Sequence, residues 1–146
     1  MRATSNPSTR PEDYTFAHRL RVRFAETDAM GVVHHSRYLP YLEEARVEFL
    51  RAIGHPYDGW RRDGLDAAVI EVFVRYRQPL RFDDIVDVYV VLGDISRMTF
   101  QLSYLLTVDG TVDGTVAATA VTVHAVVTAD GRPARLPEWL RAMAVS

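Results

Sequence analysis

An aspartate lies shortly before the start of a predicted long helix, and this arrangement can support hydrolysis. Asp28 is in a loop that also contains Gly31, and the helix is predicted to begin near Arg37. The first N–H groups of a helix have no partner within the helix, so a carboxylate beside them could act on a carbonyl group whose oxyanion an N–H stabilises. An aspartate in this position can instead cap a turn. Both interpretations stay open on this spacing alone.

Several other chemistries lack their essential residues. The 146 residues include no Cys, and all 17 basic residues are Arg, which excludes thiolate zinc sites, Cys nucleophiles and Lys Schiff bases. The sequence contains no Gly-x-Ser-x-Gly, no His-Glu-x-x-His and no glycine-rich phosphate loop. His34 and His35 are adjacent and have no third ligand at a recognised spacing, so neither a metal nor another cofactor is predicted.

Composition predicts one globular domain without a nucleic-acid or membrane-embedded function. The chain is 48% hydrophobic and 25% charged, with a net charge of −2. No segment approaches the roughly 20 apolar residues of a membrane span, and the polar N-terminus lacks the apolar run of a signal peptide. We therefore expect a cytoplasmic protein, with a flexible tail over residues 1–17 and a folded domain over residues 18–146.

Hydrophobic spacing predicts one long helix over residues 37–53. Ser36 is in position to be its N-cap, and Gly54 followed by Pro56 is a plausible stop. The apolar residues that this helix would place on one face are Tyr38, Leu42, Ala45, Phe49 and Ile53. Residues 55–66 are predicted to form a loop, with a short helical turn around Trp60.

Alternating hydrophobicity predicts five strands. The first covers residues 18–24, with Leu20, Val22 and Phe24 on its apolar side. The others cover residues 69–78, 85–92, 98–108 and 115–128, and their separators include Asp109-Gly110 and Asp113-Gly114. The expected architecture is α+β: a strand, a helix, and then a four-stranded antiparallel meander, with the helix across one face of the five-stranded sheet.

The predicted strands carry more apolar surface than one helix can cover. Residues 85–92 and 121–127 are apolar on both faces or nearly so. A second copy of the chain could bury what the helix leaves open. We therefore expect a homodimer or a homotetramer, with no nucleic-acid partner.

Residues 27–38 resemble the hallmark of the hot-dog-fold 4-hydroxybenzoyl-CoA thioesterase family, including its bacterial acyl-CoA thioesterases associated with the Tol–Pal system. The likeness covers about residues 19–140. Beyond the hallmark, it extends to Glu44-Ala45-Arg46, Val74-Arg75-Tyr76, Gln78-Pro79, Asp84 and residues 132–138. The resemblance implies the hot-dog fold and hydrolysis of small or medium acyl thioesters of coenzyme A or acyl carrier protein.

The resemblance also implies a set of site residues. Asp28 would be the catalytic carboxylate, acting as general base or as nucleophile, and the backbone N–H of His35 would polarise the thioester carbonyl. The His35 imidazole could act as well. Expected substrate-binding residues are Gly31, Val32, Val33, His34 and Tyr38, with Arg97 and Arg132 as candidates for the coenzyme A phosphates. Met30 and His34 depart from the family pattern, which bears on the shape of the acyl pocket.

Two alternative functions and three unusual residues remain. Hot-dog hydratases carry an Asp-x-Asn-Pro-x-His signature, which the residues after Asp28 do not match. A non-catalytic acyl-CoA-binding protein is the other alternative.

Arg46 lies near the apolar helix face, where it could extend to solvent, pair with a buried acid or support the site. His18 and His124 are interpreted as sheet histidines with satisfied hydrogen bonds.

Overall fold

The computed structural model describes residues 3–109 and 115–145, which form a five-stranded antiparallel sheet with a long helix on one face. The strands are β1 (Phe16–Arg21), β2 (Leu65–Tyr76), β3 (Ile85–Ile95), β4 (Thr99–Val108) and β5 (Val116–Thr128). The helices are α1 (Tyr38–Ala52), α2 (Tyr57–Arg62) and α3 (Glu138–Val145). The α+β fold expected from the sequence is confirmed. The helical turn around Trp60 is α2, whereas α3 was not predicted.

The strand order differs from the predicted four-stranded meander. The order is β1-β3-β4-β5-β2, so β2 pairs with β5 and forms one edge of the sheet. The eight residues 77–84 cross from β2 to β3, and they can reach about 26 Å. That crossing spans only three interstrand spacings, or about 14 Å. Of the predicted turn residues between β4 and β5, Gly110 and Asp113-Gly114 lie outside the described residues.

The helix α1 begins later than predicted because a 3₁₀ turn, His35–Arg37, precedes it. The prediction of Ser36 as N-cap is wrong: the Ser36 N–H donates to Nδ1 of His34 at 3.2 Å, so His34 caps this turn. Gly54 ends the helix as expected, with a left-handed φ of 86°. The predicted apolar face is confirmed, with four of its five residues buried: Tyr38, Leu42, Ala45 and Phe49.

The strand β1 ends at Arg21, three residues before its predicted end. The Glu26 carboxylate accepts a hydrogen bond from the Arg23 N–H at 2.8 Å and turns the chain into a short 3₁₀ helix, Phe24–Glu26. Phe24 was expected on the apolar side of the strand, but 74% of its surface is exposed. The alternation of apolar residues therefore ends at the buried Val22, and the turn directs the Phe24 side chain to solvent.

The N-terminal segment, residues 3–15, lies against the outer face of the sheet, the face opposite α1. The Ala3 N–H donates to Glu71 on β2 at 2.7 Å, and the Thr4 N–H donates to the Gln101 side chain on β4 at 2.9 Å. Gly93 on β3 makes this approach possible, because a Cβ there would lie 2.3 Å from the Ser5 hydroxyl oxygen. The first strand begins two residues before the predicted domain boundary at residue 18.

Both faces of β4 and of most of β5 are buried within one chain. Val121 and Val123 point to the outer face of β5 and are only 2% and 0% exposed. The single chain therefore already buries these two positions, and the expected second copy of the chain stays a prediction. None of the helices formed by the described residues is long and apolar enough to span a membrane.

Candidate active site

A closed loop, residues 27–33, lies at the end of the sheet where β3 begins. Thr27 and Val33 form an antiparallel bridge that brings the two ends of the loop together. Asp28 therefore lies one residue inside the bridge, and His35 lies two residues beyond it. The bridge therefore joins the residue before the carboxylate to the segment that leads into the first turn of the helical segment.

Glu26 fixes the base of this loop. Its carboxylate is buried and accepts hydrogen bonds from the Arg23 N–H and guanidinium and, at 2.7 Å, from the Tyr41 hydroxyl. Its backbone carbonyl accepts from the His34 N–H at 3.0 Å. Burial opposes ionisation, but the hydrogen bonds from Tyr41 and Arg23 outweigh it and lower the pKa of Glu26. Glu26 therefore stays ionised and joins β1, the loop and α1.

Asp28 has one engaged oxygen and one open oxygen. Oδ1 accepts from the Met30 N–H at 2.8 Å and is 3.4 Å from the Val32 nitrogen, so this oxygen caps the turn. Oδ2 has no hydrogen-bond partner among the described residues. Both interpretations of Asp28 therefore fit one side chain, because one oxygen positions the carboxylate and the other stays available.

The His35 N–H is a free donor at the start of the helical segment. The N–H groups of Ser36 and Arg37 donate to the side chain and to the carbonyl of His34, respectively. The His35 N–H has no partner within the part of the chain that the structure describes. An N–H group in this position can donate to a developing oxyanion.

A groove of about 270 Å³ lies beside His35. The Tyr76 hydroxyl donates to the His35 carbonyl at 3.2 Å, and the Tyr38 and Tyr76 rings meet edge to face with centroids 4.8 Å apart. The residues that line the groove are Val33, His35, Tyr38, Tyr76, Arg77, Gln78 and Pro79. The groove therefore combines an aromatic wall with the open helical start.

An apolar surface surrounds the loop. Phe24 and Phe82 pack edge to face with centroids 5.7 Å apart, yet Phe82 is 53% exposed. Met30, at the tip of the loop, is 81% exposed. These three side chains, here called the apolar rim, present hydrophobic surface close to Asp28.

The structure brings most of the predicted site residues together, but not the two arginines. Asp28, Gly31, Val32, Val33, His34, His35 and Tyr38 all belong to residues 27–38. Arg97 lies in the β3–β4 turn, at the far end of the sheet, and the length of β3 separates the two ends by about 33 Å. Arg132 follows β5 at the same far end and pairs with Asp130 at 3.0 Å.

The two adjacent histidines do not form a metal site within the described residues. Their rings lie 4.2 Å apart, and His34 uses Nδ1 to accept from Ser36. The described residues contain no group of three or more potential metal ligands.

A second set of polar groups, here called the buried polar network, lies between α1 and the inner face of the sheet. Arg46 is only 7% exposed, and it donates to the Tyr57 hydroxyl at 3.0 Å and also interacts with Tyr104. The Tyr104 hydroxyl contacts Thr122 at 2.8 Å, and Thr122 contacts Nε2 of His124 at 2.7 Å. Within the described residues, Arg46 has no carboxylate partner. Arg46 therefore neither extends to solvent nor pairs with an acid among the described residues, and a role for it in supporting the site stays a prediction.

His124 is only partly satisfied, contrary to the prediction. It is fully buried and stacks on Phe100, and its Nδ1 has no hydrogen-bond partner among the described residues. Burial, followed by the charge of Arg46, lowers the pKa of His124 to about 3. The imidazole therefore remains neutral at physiological pH. His18, in contrast, pairs with Glu44 on α1.

The residues that sequence reasoning missed are Glu26 and Tyr41. Both lie within residues 19–140, which resemble the known family. A glutamate and a tyrosine 15 residues apart, however, give no sequence signal of a buried pair. The spacing of Arg23 and Glu26 does match a turn in which the acid reaches back to the N–H three residues earlier, and that signal could have indicated the role of Glu26.

Known proteins resemble this chain over most of its length. A model of the thioesterase-like superfamily matches residues 22–143. A crystal structure of a hypothetical protein from Aquifex aeolicus is 39% identical, with a TM-score of 0.80, and the match covers 88% of this chain and 98% of that one. DHNA-CoA thioesterase from Staphylococcus aureus is 25% identical, with a TM-score of 0.80 and 88% of each chain covered.

Curated sequences show the same likeness over shorter segments. Acyl-CoA thioesterase YbgC of Haemophilus influenzae is 31% identical over 88 residues, which are 60% of this chain and 65% of that protein. For the first three curated relatives, the matched segment spans between 49% and 71% of their length.

Proposed function

The chain belongs to the thioesterase-like superfamily, and from that premise we propose that it hydrolyses small or medium acyl thioesters of coenzyme A or acyl carrier protein at the Asp28 loop. As a member of this family it is an enzyme of the thioester hydrolase class. The observation that carries the proposal is the pairing of a carboxylate that has one open oxygen, Asp28, with a free N–H, that of His35, across one closed loop.

In the proposed reaction, the open oxygen of Asp28 acts on water or on the thioester itself. As a general base, it takes a proton from a water molecule whose oxygen attacks the carbonyl carbon. As a nucleophile, it attacks that carbon and forms an anhydride, which water then hydrolyses. In both routes the C–S bond breaks, the thiolate leaves and gains a proton, and the His35 N–H donates to the carbonyl oxygen as it becomes negative.

The surfaces around the loop fit an acyl group of modest size. Tyr38 and Tyr76 give the groove an aromatic wall, and the apolar rim adds hydrophobic surface on the other side of Asp28. Gly31, Val32, Val33 and His34 form the chain between the two reactive groups. We assign the acyl chain to this groove.

We also propose a homodimer or homotetramer with its site at a subunit boundary. The strand β2 is an edge strand, and an edge with exposed apolar side chains favours pairing with another chain. Its exposed apolar residues are Val69, Ile70, Val72, Phe73 and Tyr76. Because Arg97 and Arg132 lie far from Asp28 within one chain, they could serve the site only from a second protomer.

A panel of acyl-CoA thioesters, assayed by release of free thiol with enoyl-CoA hydration measured in parallel, tests the activity. Thiol release without hydration supports the proposal. Hydration without thiol release would instead support a hot-dog hydratase, and saturable binding with neither reaction would support a non-catalytic acyl-CoA-binding protein. Light scattering at micromolar concentration tests the assembly, and a monomeric mass would contradict it.

A further inference from the structure

A second pocket lies between the N-terminal segment and the outer face of the sheet. It has a volume of about 200 Å³. The residues that line it are Ala3, Ser5, Asn6, Pro7, Phe73, Arg75, Arg77, Thr119 and Val121. The N-terminal segment forms one wall, and the ends of β2 and β5 nearest the Asp28 loop form the other.

This pocket is lined by two arginines that form no ion pair among the described residues. Its lining contains two guanidinium groups, those of Arg75 and Arg77, and no carboxylate. Neither arginine has an ion-pair partner among the described residues. Seven other arginines are paired with acids: Arg10, Arg19, Arg21, Arg23, Arg51, Arg132 and Arg141. The pocket also contains the polar side chains of Ser5, Asn6 and Thr119.

The pocket and the groove at the active site have one lining residue in common. Arg77 lines both of them, because it follows the last residue of β2, where the outer face of the sheet meets the groove beside His35. A molecule whose reactive end lies at His35 can therefore extend past Arg77 towards Arg75.

The N-terminal wall of the pocket lies outside the family match, which begins at residue 22. Hydrogen bonds hold this wall in place, since the Ser5 hydroxyl accepts from the Asp94 N–H at 2.9 Å and the Ser5 N–H donates to Gln101 at 3.0 Å. The pocket is therefore assembled from the shared domain together with a segment that the family model does not cover.

We propose that this pocket binds a phosphate group of the thioester carrier while the acyl end lies at His35. The inference rests on the proposed function. Guanidinium groups bind phosphate oxygens through paired, charge-assisted hydrogen bonds. Two adjacent guanidinium groups in a pocket of about 200 Å³ suit a single phosphate group.

The test compares thioesters that carry the same acyl group with and without phosphates. In the double variant Arg75→Gln, Arg77→Gln, kcat/KM for the acyl-CoA should fall by about tenfold to a hundredfold relative to kcat/KM for the acyl-N-acetylcysteamine thioester. The double variant Arg61→Gln, Arg62→Gln removes the same charge from α2 and should leave that ratio at the parental value. An unchanged ratio in the first variant, or an equal fall in the second, would overturn the inference.

Two further substrates identify which phosphate is bound. Acyl-4′-phosphopantetheine carries the single phosphate that an acyl carrier protein presents, whereas acyl-pantetheine carries none. If the Arg75 and Arg77 variant lowers kcat/KM for acyl-4′-phosphopantetheine relative to acyl-pantetheine, the pocket binds the phosphate next to pantetheine. If the variant lowers kcat/KM only for the acyl-CoA, the pocket binds the nucleotide phosphates. A fall caused by Arg97→Gln, Arg132→Gln in place of the Arg75 and Arg77 variant would contradict the assignment.

A binding measurement separates this inference from the proposed activity. Adenosine 3′,5′-bisphosphate and inorganic phosphate are titrated into the full-length parent and into both double variants by calorimetry. Weaker binding only in the Arg75 and Arg77 variant supports the pocket even if no thioester is hydrolysed. A parent that hydrolyses acyl-CoA but binds neither probe, with unchanged kinetics in the variant, would remove the pocket and leave the activity standing.

Discussion

The site segment, residues 27–38, and the buried polar network use their hydrogen-bonding groups in opposite ways. In the site segment, one oxygen of Asp28 and the N–H of His35 are left open near solvent. In the network beneath α1, Arg46 bonds to the hydroxyls of Tyr57 and Tyr104. Thr122 bonds in turn to Tyr104 and to His124. The first arrangement leaves groups ready for a substrate, whereas the second uses its groups to hold the helix on the sheet.

The comparison also separates two roles for charge. Glu26 is buried but has several donors, so it fixes the site loop without taking part in the chemistry. Arg46 is buried without an acid, so its charge is directed at tyrosine hydroxyls and at the neutral His124. Variants of the two regions should therefore affect different measurements, namely turnover for the site segment and stability for the network.

The largest expected effect is on turnover in Asp28→Asn. Asn retains an acceptor for the Met30 N–H, so the loop should survive, but it can be neither base nor nucleophile. We expect kcat to fall by about 10²–10⁴ with little change in melting temperature. Asp66→Asn is a matched control, because Asp66 also caps a backbone N–H but lies at the other end of β2. If Asp28→Asn kept the parental turnover, the prediction would be wrong and Asp28 would serve only to cap the turn.

His35 allows the N–H donor to be tested apart from the side chain. His35→Pro removes the N–H at the first position of a 3₁₀ turn, where proline is tolerated, and His34 already has the extended backbone that precedes proline. We expect kcat to fall by about 10²–10³. His35→Ala keeps the N–H and should stay within about tenfold of the parent. A thousandfold loss in His35→Ala would transfer the role to the imidazole.

In the buried polar network, Arg46→Met should reduce stability and spare turnover. Methionine fills a similar volume, but the Tyr57 and Tyr104 hydroxyls lose a charged donor, so the free energy of unfolding should fall by about 1.5–3 kcal/mol. Urea unfolding measures this change. Arg51→Met, on the exposed side of α1, is the control and should change stability by less than about 1 kcal/mol. Loss of turnover with an unchanged unfolding midpoint would place Arg46 in the active site.

The smallest effect is a pH dependence of stability that arises from His124. Its pKa is about 3 in the folded chain, whereas an unfolded histidine titrates near 6.5. Below pH 6.5 the unfolded chain therefore binds more protons than the folded chain, and stability falls as pH falls, by on the order of 1 kcal/mol per unit. Urea unfolding between pH 6.5 and 5 measures the slope. His124→Gln should reduce it, and equal slopes in the parent and His124→Gln would contradict the assignment.

The sequence predicts those parts of the fold whose signals are local. The spacing of Tyr38, Leu42 and Phe49 depends only on the geometry of one helix, and it predicts α1 to within one residue at each end. The pairing of β2 with β5 was not predicted, because alternation shows which face a side chain occupies but not which strand lies beside it. The exposure of Phe24 was not predicted because hydrophobic alternation continues to residue 24, whereas the Glu26 carboxylate turns the chain at Arg23.

The same distinction between local signals and contacts of distant residues applies to the candidate site. Asp28 could be singled out because the loop that joins it to the helix is short and continuous in sequence, whereas the role of His35 was implied only by the resemblance of residues 27–38 to a known family. The pocket formed by Arg75, Arg77 and Ser5 could not, because it unites residues about 70 positions apart and depends on a polar N-terminus that looks like a tail. Even Gly93, which admits Ser5, has no local feature that distinguishes it from other strand glycines.

The N-terminal segment has a consequence for how the molecule is completed during synthesis. Ala3 and Thr4 are synthesised before Glu71 and Gln101, which accept their hydrogen bonds and follow 68 and 97 residues later. At a translation rate of about 5–20 residues per second, the segment waits roughly 5–20 s for its last partner. The outer face of the sheet closes only after β4 has emerged, so a segment that is synthesised before every strand is among the last to reach its final place.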